Sequence, residues 1–165
     1  MKTLSQLVQQ VAGEKSLQSG KIPDIDLYMD QILTLMGEKE ITKTMINNYS
    51  KEHLIKPLKG KKYSKEQIIQ ILCIMNLKQT LALNSIRALM PQQEGKVDFQ
   101  KVYDICVAEE ERITEAMARF AAEELSLPEG LTEEEEALAS AMMLSCGCIY
   151  LRRLCEALAA EPERE

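Results

Sequence analysis

Lysine, threonine and asparagine side chains share one side of the helix predicted over residues 42–52. The five residues are Lys43, Thr44, Asn47, Asn48 and Lys51. At about 100° of rotation per residue they span an arc of about 140°, and no acidic residue falls within it. An asparagine amide can pair with an adenine edge, and a lysine can reach guanine acceptors or phosphates. We interpret this side as the base-reading face of a DNA-binding helix. The alternative is a solvated helix face, although such faces usually mix both signs of charge.

A basic turn follows this helix and carries cations of the kind that bind phosphate. Pro57 and Gly60 predict an extended segment and a hairpin turn, because proline cannot continue a helix and glycine allows positive φ. Lys59, Lys61 and Lys62 flank the turn. A recognition helix followed by a basic hairpin is the layout of a winged helix-turn-helix, whose hairpin lysines neutralise phosphates beside the groove. The alternative is a charged solvent loop, which leaves the order of these elements unexplained.

Short motifs in the same region resemble the DNA-binding domain of MerR-type regulators. The matching stretches are residues 45–49 in the predicted recognition helix, 53–57 at its exit, 61–64 in the hairpin and 81–89 in a later helix. More closely, residues 22–90 resemble an uncharacterised bacterial family of MerR-like proteins, described only as a domain of unknown function. The resemblance implies a winged helix-turn-helix fold, DNA binding and transcription regulation. His53 stands where MerR-type proteins usually have glycine, and histidine tolerates positive φ better than most residues.

Apolar periodicity and capping residues predict a mainly α fold. Predicted helices cover residues 4–11, 25–36, 42–52, 64–77, 83–90, 98–125 and 132–158. Predicted N-caps are Thr42, Ser64 with Gln67, Asp98, and Thr132 with Glu135. For the second helix, Asp24 and Asp26 are the cap candidates, and Ile25 and Tyr28 are expected to face inward.

Charge is distributed unevenly along the 165 residues. Residues 1–96 carry 14 Lys and Arg against 9 Asp and Glu, whereas residues 97–165 carry 6 against 17. Such asymmetry indicates that the basic part binds an anion and the acidic part has another role. We predict an N-terminal helix and linker (1–21), a winged helix-turn-helix domain (22–92) and a helical dimerisation or regulatory region (97–160).

The acidic region is predicted to be a helical hairpin with more apolar surface than two helices can bury against each other. In its first helix, a heptad-like seam is interrupted only by Glu110. The seam consists of Phe99, Tyr103, Cys106, Ile113, Met117 and Phe120. We therefore expect a homodimer through this region. The uncharged run over residues 137–151 is short for a bilayer span, so a buried helix is expected there.

No residue pattern in the sequence is typical of an active site, a cofactor site or a metal site. His53 is the single histidine, and no phosphate-binding glycine loop is present. The five cysteines are Cys73, Cys106, Cys146, Cys148 and Cys155. On a helix, Cys146 and Cys148 lie about 200° apart and cannot share one ion, so buried apolar cysteines are expected. The odd number and the absence of a signal-peptide pattern indicate reduced thiols in a cytoplasm.

These features lead to one predicted function and one rival. The first is a MerR-like, sequence-specific transcription regulator that binds double-stranded DNA as a homodimer, with no enzymatic activity, cofactor or membrane partner. The rival is a non-enzymatic protein-interaction adaptor that keeps the winged-helix fold without DNA binding. The sequence predicts neither the operator nor the effector.

Overall fold

Seven α-helices and a two-stranded sheet form the part of the chain that the computed structural model describes, residues 4–11, 15–37, 41–58, 60–91 and 95–161. The helices are α1 (Leu4–Val11), α2 (Met29–Met36), α3 (Lys43–Lys51), α4 (Lys65–Lys78), α5 (Leu83–Leu89), α6 (Phe99–Arg119) and α7 (Glu133–Ala160). The strands are β1 (Leu27–Tyr28) and β2 (Lys62–Tyr63), and a π-helical turn, Phe120–Glu124, follows α6. The predicted mainly α fold is confirmed.

Side-chain caps explain where four of these helices begin. The predicted caps Thr42, Ser64, Asp98 and Thr132 each accept a hydrogen bond from the backbone N–H three residues further on. At two of them the reciprocal bond of a capping box also forms. Gln67 accepts from the backbone N–H of Ser64, and Glu135 from that of Thr132, both at 2.8 Å. These bonds satisfy N–H groups that have no partner within the helix.

The start of the second helix differs from the prediction. α2 begins at Met29, and the backbone N–H of Tyr28 donates to Oε1 of Gln31 at 2.8 Å. Asp24 and Asp26 lie outside the helix and do not cap it. Ile25 and Tyr28, expected to face inward, are 65% and 52% exposed. The reason is that residues 27 and 28 are drawn into a strand by pairing with a distant segment.

That pairing also replaces the predicted hairpin. β1 and β2 are antiparallel, with Leu27 opposite Tyr63 and Tyr28 opposite Lys62. Gly60 does form a turn, with φ of +87°, but the described residues just before it, 54–58, form no strand. Pro57 has no N–H to give to a ladder, and α4 side chains bind the backbone of residues 56 and 57. The basic turn is therefore tied to the segment before α2.

The chain divides into two compact units, and the second contains α2 to α5 and both strands. It comprises Leu17–Cys106 and Cys155–Glu165. Its core is rich in isoleucine, and α4 contributes Ile68, Ile69, Ile71 and Ile74, all fully buried. Phe99 and Tyr103 of α6 are buried as well, and the Tyr103 hydroxyl donates to the carbonyl of Leu17 at 2.7 Å.

The first unit comprises Met1–Ser16 and Val107–Leu154. In it α1 packs against the turn Phe120–Glu124. Glu110, the polar residue of the predicted seam, accepts hydrogen bonds from the side chain of Ser16 at 2.6 Å and from its backbone N–H at 3.1 Å. Among the residues of this unit whose burial is described, only Ala121 is buried.

The expectation of a buried C-terminal helix is wrong for this chain, because none of the residues of α7 is buried. Three residues of the predicted seam are also exposed: Ile113 and Met117 of α6, at 53% and 46%, and Phe120 of the π-helical turn, at 39%. Two helices can cover each other along only one side each, so the remaining apolar side chains stay in contact with solvent. The predicted domain ranges stay predictions.

Candidate nucleic-acid interface

α3 exposes its polar side and buries its apolar one. Ile46 and Tyr49 are 0% and 3% exposed, and Met45 is half-buried. All five polar residues of the predicted base-reading face are exposed. They are Lys43, Thr44, Asn47, Asn48 and Lys51. We call this surface the α3 face. The helix therefore presents a continuous row of amide, hydroxyl and ammonium groups to solvent.

A left-handed residue ends α3. His53 has φ of +55°, the one positive φ among the described residues other than glycine. The backbone N–H of Leu54 donates to the carbonyl of Tyr49 at 2.9 Å, and that of His53 to Ser50 at 3.1 Å. This is the hydrogen-bond pattern of a Schellman motif, with buried Leu54 as its apolar anchor. The sequence-based expectation for His53 at the helix exit agrees with this geometry.

Arg87 of α5 binds the same end of α3. Its Nη2 donates to the carbonyl oxygen of Glu52 at 3.1 Å and to the Glu52 carboxylate at 2.6 Å. Nε lies 3.3 Å from the same carbonyl. A cation at the C-terminus of a helix also complements the helix dipole. Arg87 thus joins the exposed helix to a second element of its unit, a role that was not apparent from the sequence.

Lys43 already has an acidic neighbour. Its Nζ lies 2.5 Å from Oδ1 of Asp30 on α2, and both side chains are exposed. The α3 face has no acid of its own, but Asp30 reaches it from the preceding helix. A pair between residues 13 positions apart on two helices leaves no local sequence signal. Lys51 and Lys61, by contrast, form no ion pair with another described residue.

Two glutamines of α4 hold the chain between α3 and the basic turn. Oε1 of Gln70 accepts from the backbone N–H of Lys56 at 3.0 Å. Nε2 of Gln67 donates to the carbonyls of Lys56 and Pro57 at 3.0 and 3.1 Å. Gln70 is fully buried and Gln67 is 6% exposed. Two glutamines within an apolar run are the signal that could have revealed this role, because buried polar groups need partners.

The lysines of the turn have different surroundings. Lys61 and Lys62 are exposed, and Nζ of Lys62 lies 4.8 Å from the ring centroid of Tyr28. This cation–π contact orients the Lys62 side chain across the small sheet. Lys59 lies outside the described residues. Lys56, the first lysine of the segment, pairs with Glu66 at 2.8 Å.

Tyr63 links β2 to α3. Its ring is buried, and it forms a hydrogen bond with the Ser50 side chain. Burial raises the pKa of Tyr63 above its ordinary value, and the bond with Ser50 opposes that rise. Burial also raises the pKa of Tyr49, so both hydroxyls are neutral near pH 7. The buried Tyr63 side chain therefore anchors the basic turn to α3.

Comparison with family models identifies the region that contains these residues. Residues 17–106, more than half of the chain, match the model described as a domain of unknown function, DUF1836. The chain belongs to this family. The DUF1836 match covers the main segment of the second unit, and it includes both strands and α2 to α5. No curated protein and no solved structure matches the chain significantly.

The cysteines of the DUF1836 region and of α7 correct one expectation. Cys106, Cys146 and Cys148 are exposed, and Cys73 and Cys155 are half-buried. The prediction of buried apolar cysteines is therefore wrong, because three of the five lie on solvent-exposed sides of their helices. Burial raises the pKa of the Cys73 thiol to about 12. Among the described residues, no group of three or more His, Cys, Asp or Glu could hold a metal ion.

Proposed function

We propose that this chain binds double-stranded DNA in a sequence-specific manner and regulates transcription. The observation that carries the proposal is the α3 face, where five polar residues are exposed together, with a basic turn following in the chain. This composition fits a helix that enters the major groove, because amides and ammonium groups match base-edge and phosphate acceptors.

The residues of the α3 face would make different kinds of contact with DNA. Asn47 and Asn48 supply amides that can donate to and accept from one adenine edge. The Thr44 hydroxyl can donate to an acceptor or accept from a donor on a base edge. Lys51 can reach guanine acceptors or phosphates. Lys43 would exchange its contact with Asp30 for one with DNA, so it is expected to contribute less than Lys51.

The basic turn would position the protein on the backbone. Lys61 and Lys62 supply phosphate contacts, and Lys59 is proposed for the same role from the sequence alone. These contacts give affinity without sequence information, and their strength falls with salt. In a MerR-like winged helix-turn-helix, the turn would correspond to the wing, here paired with β1.

A homodimer fits this function. A helix of nine residues reads only a few base pairs, and two-fold operators need two readers at a fixed spacing. The exposed apolar side chains of α6 and α7 supply the surface through which two copies could associate.

The rival function is a protein-interaction adaptor without DNA binding. The exposed apolar surface of α6 and α7, which lies in the acidic part of the chain, favours this adaptor function. The two functions differ in one measurable respect. A DNA-binding chain is retained on duplex DNA at low salt and released as salt rises, whereas the adaptor is not retained at any ionic strength.

Selection of bound sequences from random duplex DNA, followed by a footprint, tests the proposal. We expect one enriched motif with two-fold symmetry and protection of both half-sites. A selection that yields no enrichment, together with no retention at low salt, would rule out the DNA-binding function and leave the adaptor.

A further inference from the structure

The outer side of α7 carries an exposed apolar stripe. Leu138, Met142, Ser145 and Ile149 follow one another at spacings of four, three and four residues. At about 100° per residue they lie within about 60° of arc. Leu138 and Met142 are 63% and 62% exposed, Ile149 is 39% exposed, and Ser145 is exposed as well. These four residues are called the α7 stripe.

The stripe lies on the side of α7 opposite to Gly147. A Cβ placed on Gly147 would lie 4.0 Å from the ring of Phe120, so the Gly147 side of α7 packs against the end of α6. Gly147 lies about 180° from Leu138 around the helix. The stripe thus lies opposite the side of α7 that contacts Phe120.

Opposite charges stand at the two ends of the stripe. Glu134 and Glu135 precede it, Arg152 and Arg153 follow it, and residues 137–151 between them carry no charge. Glu134 and Arg152 lie at the same angle around the helix, about 320° from Leu138. Glu135 and Arg153 share the other flank, at about 60°.

We propose that the α7 stripe binds the α7 stripe of a second copy of this chain, in antiparallel orientation. With the two-fold axis near residues 143 and 144, Leu138 of one copy faces Ile149 of the other. In an antiparallel pair related by a two-fold axis, each flank of the stripe lies next to the same flank of the second copy. Glu134 then meets Arg152, and Glu135 meets Arg153, at both ends of the interface. The helix is self-complementary in charge as well as in apolar surface.

Parallel pairing and membrane insertion fit the same helix less well. Parallel pairing would place the acids of residues 133–136 beside those of the second copy, which is unfavourable. By length and composition α7 could cross a bilayer, with a mean hydropathy of 1.2 over its most apolar window. Its uncharged stretch, however, spans only about 22 Å, against a hydrocarbon core of about 30 Å.

Sedimentation equilibrium of the full chain in the absence of DNA tests the proposal independently of the proposed function. Wild type is expected to dimerise. Glu134→Lys and Arg152→Glu should each weaken the dimer by roughly tenfold, because each creates two like-charge contacts. The double variant restores opposite charges, and its Kd should return to within about threefold of wild type.

A matched pair of leucine variants tests the apolar part. Leu138→Glu lies on the stripe and should abolish the dimer. Leu154→Glu lies on the other side of α7, where Leu154 is 46% exposed, and should leave the dimer Kd unchanged within about threefold. Circular dichroism verifies that both variants stay helical.

Three results would overturn the proposal. The first is a wild-type chain that remains monomeric at about 100 μM. The second is a stronger dimer in Glu134→Lys, as parallel pairing predicts. The third is a double charge swap that stays as weak as the single variants.

Discussion

Arg87 on α5 and Glu52 at the end of α3 form a two-point contact, with the guanidinium 3.1 Å from the Glu52 carbonyl and 2.6 Å from its carboxylate. The contact satisfies a carbonyl that the helix leaves unpaired and places a positive charge at the negative end of the helix dipole. The exposed α3 face is thereby held from the end opposite to its Thr42 cap.

Arg87→Lys should therefore loosen the end of α3. Lysine keeps the charge but loses the forked donor, and we expect a loss of about 0.5–1.5 kcal/mol in the free energy of unfolding. Urea denaturation measures it. Arg112→Lys is the control, since Arg112 forms an exposed pair with Glu109 within one helix. Equal effects of the two substitutions would argue against a special role for Arg87.

His53 gives a prediction about backbone conformation. At a φ of +55°, a β-branched residue is strained, whereas glycine is not. His53→Val should destabilise the protein by about 1–2 kcal/mol, and His53→Gly should be neutral or stabilising. Thermal unfolding of both variants checks this. If valine is tolerated as well as glycine, the Schellman end of α3 is not formed in solution.

Gln67 should contribute more to the stability of the fold than a residue in the first turn of a helix usually does. Gln67→Leu removes the return bond to Ser64 and two bonds to the carbonyls of Lys56 and Pro57. We expect a loss of about 1–3 kcal/mol in urea denaturation, because two part-buried carbonyls lose their donor. Gln79→Leu, at the exposed residue that follows the last turn of α4, should change stability by less than about 0.5 kcal/mol. Similar losses in the two variants would contradict this assignment.

Thiol labelling distinguishes Cys73 from Cys106. Burial and, to a smaller extent, the neighbouring Cys106 thiol raise the pKa of Cys73 to about 12. Near pH 8 its reactive thiolate is therefore scarce, and Cys106 should be labelled first. Because the folded-state pKa is raised, Cys73 supports folding below its ordinary pKa, and this contribution is lost as pH rises towards 12. Equal labelling rates in the folded protein would contradict the burial of Cys73.

Local signals in the sequence predict most of the helices. Thr42, Ser64, Asp98 and Thr132 each mark a helix start, because a cap depends only on residues three positions apart. The polar and apolar sides of α3 follow from periodicity in the same way. Within the candidate interface, the exposure of Asn47 could therefore be predicted.

Contacts between distant segments could not be predicted. β1 exists because Leu27 and Tyr28 pair with residues 62 and 63, and two residues are too few to show alternation. The pair of Lys43 with Asp30 depends on how α2 and α3 meet. Similarly, apolar periodicity in α7 predicts a face to be covered but does not identify what covers it.

DNA binding by paired variants at several salt concentrations tests the central claim most directly. On a selected duplex, Asn47→Ala should weaken specific binding by about 1–3 kcal/mol and leave non-specific binding nearly unchanged. Lys61→Ala should weaken both and flatten the salt slope by about one unit. Asn76→Ala and Lys78→Ala, exposed on α4, should behave as wild type. A wild-type chain that binds no duplex DNA even at low ionic strength would contradict the assignment.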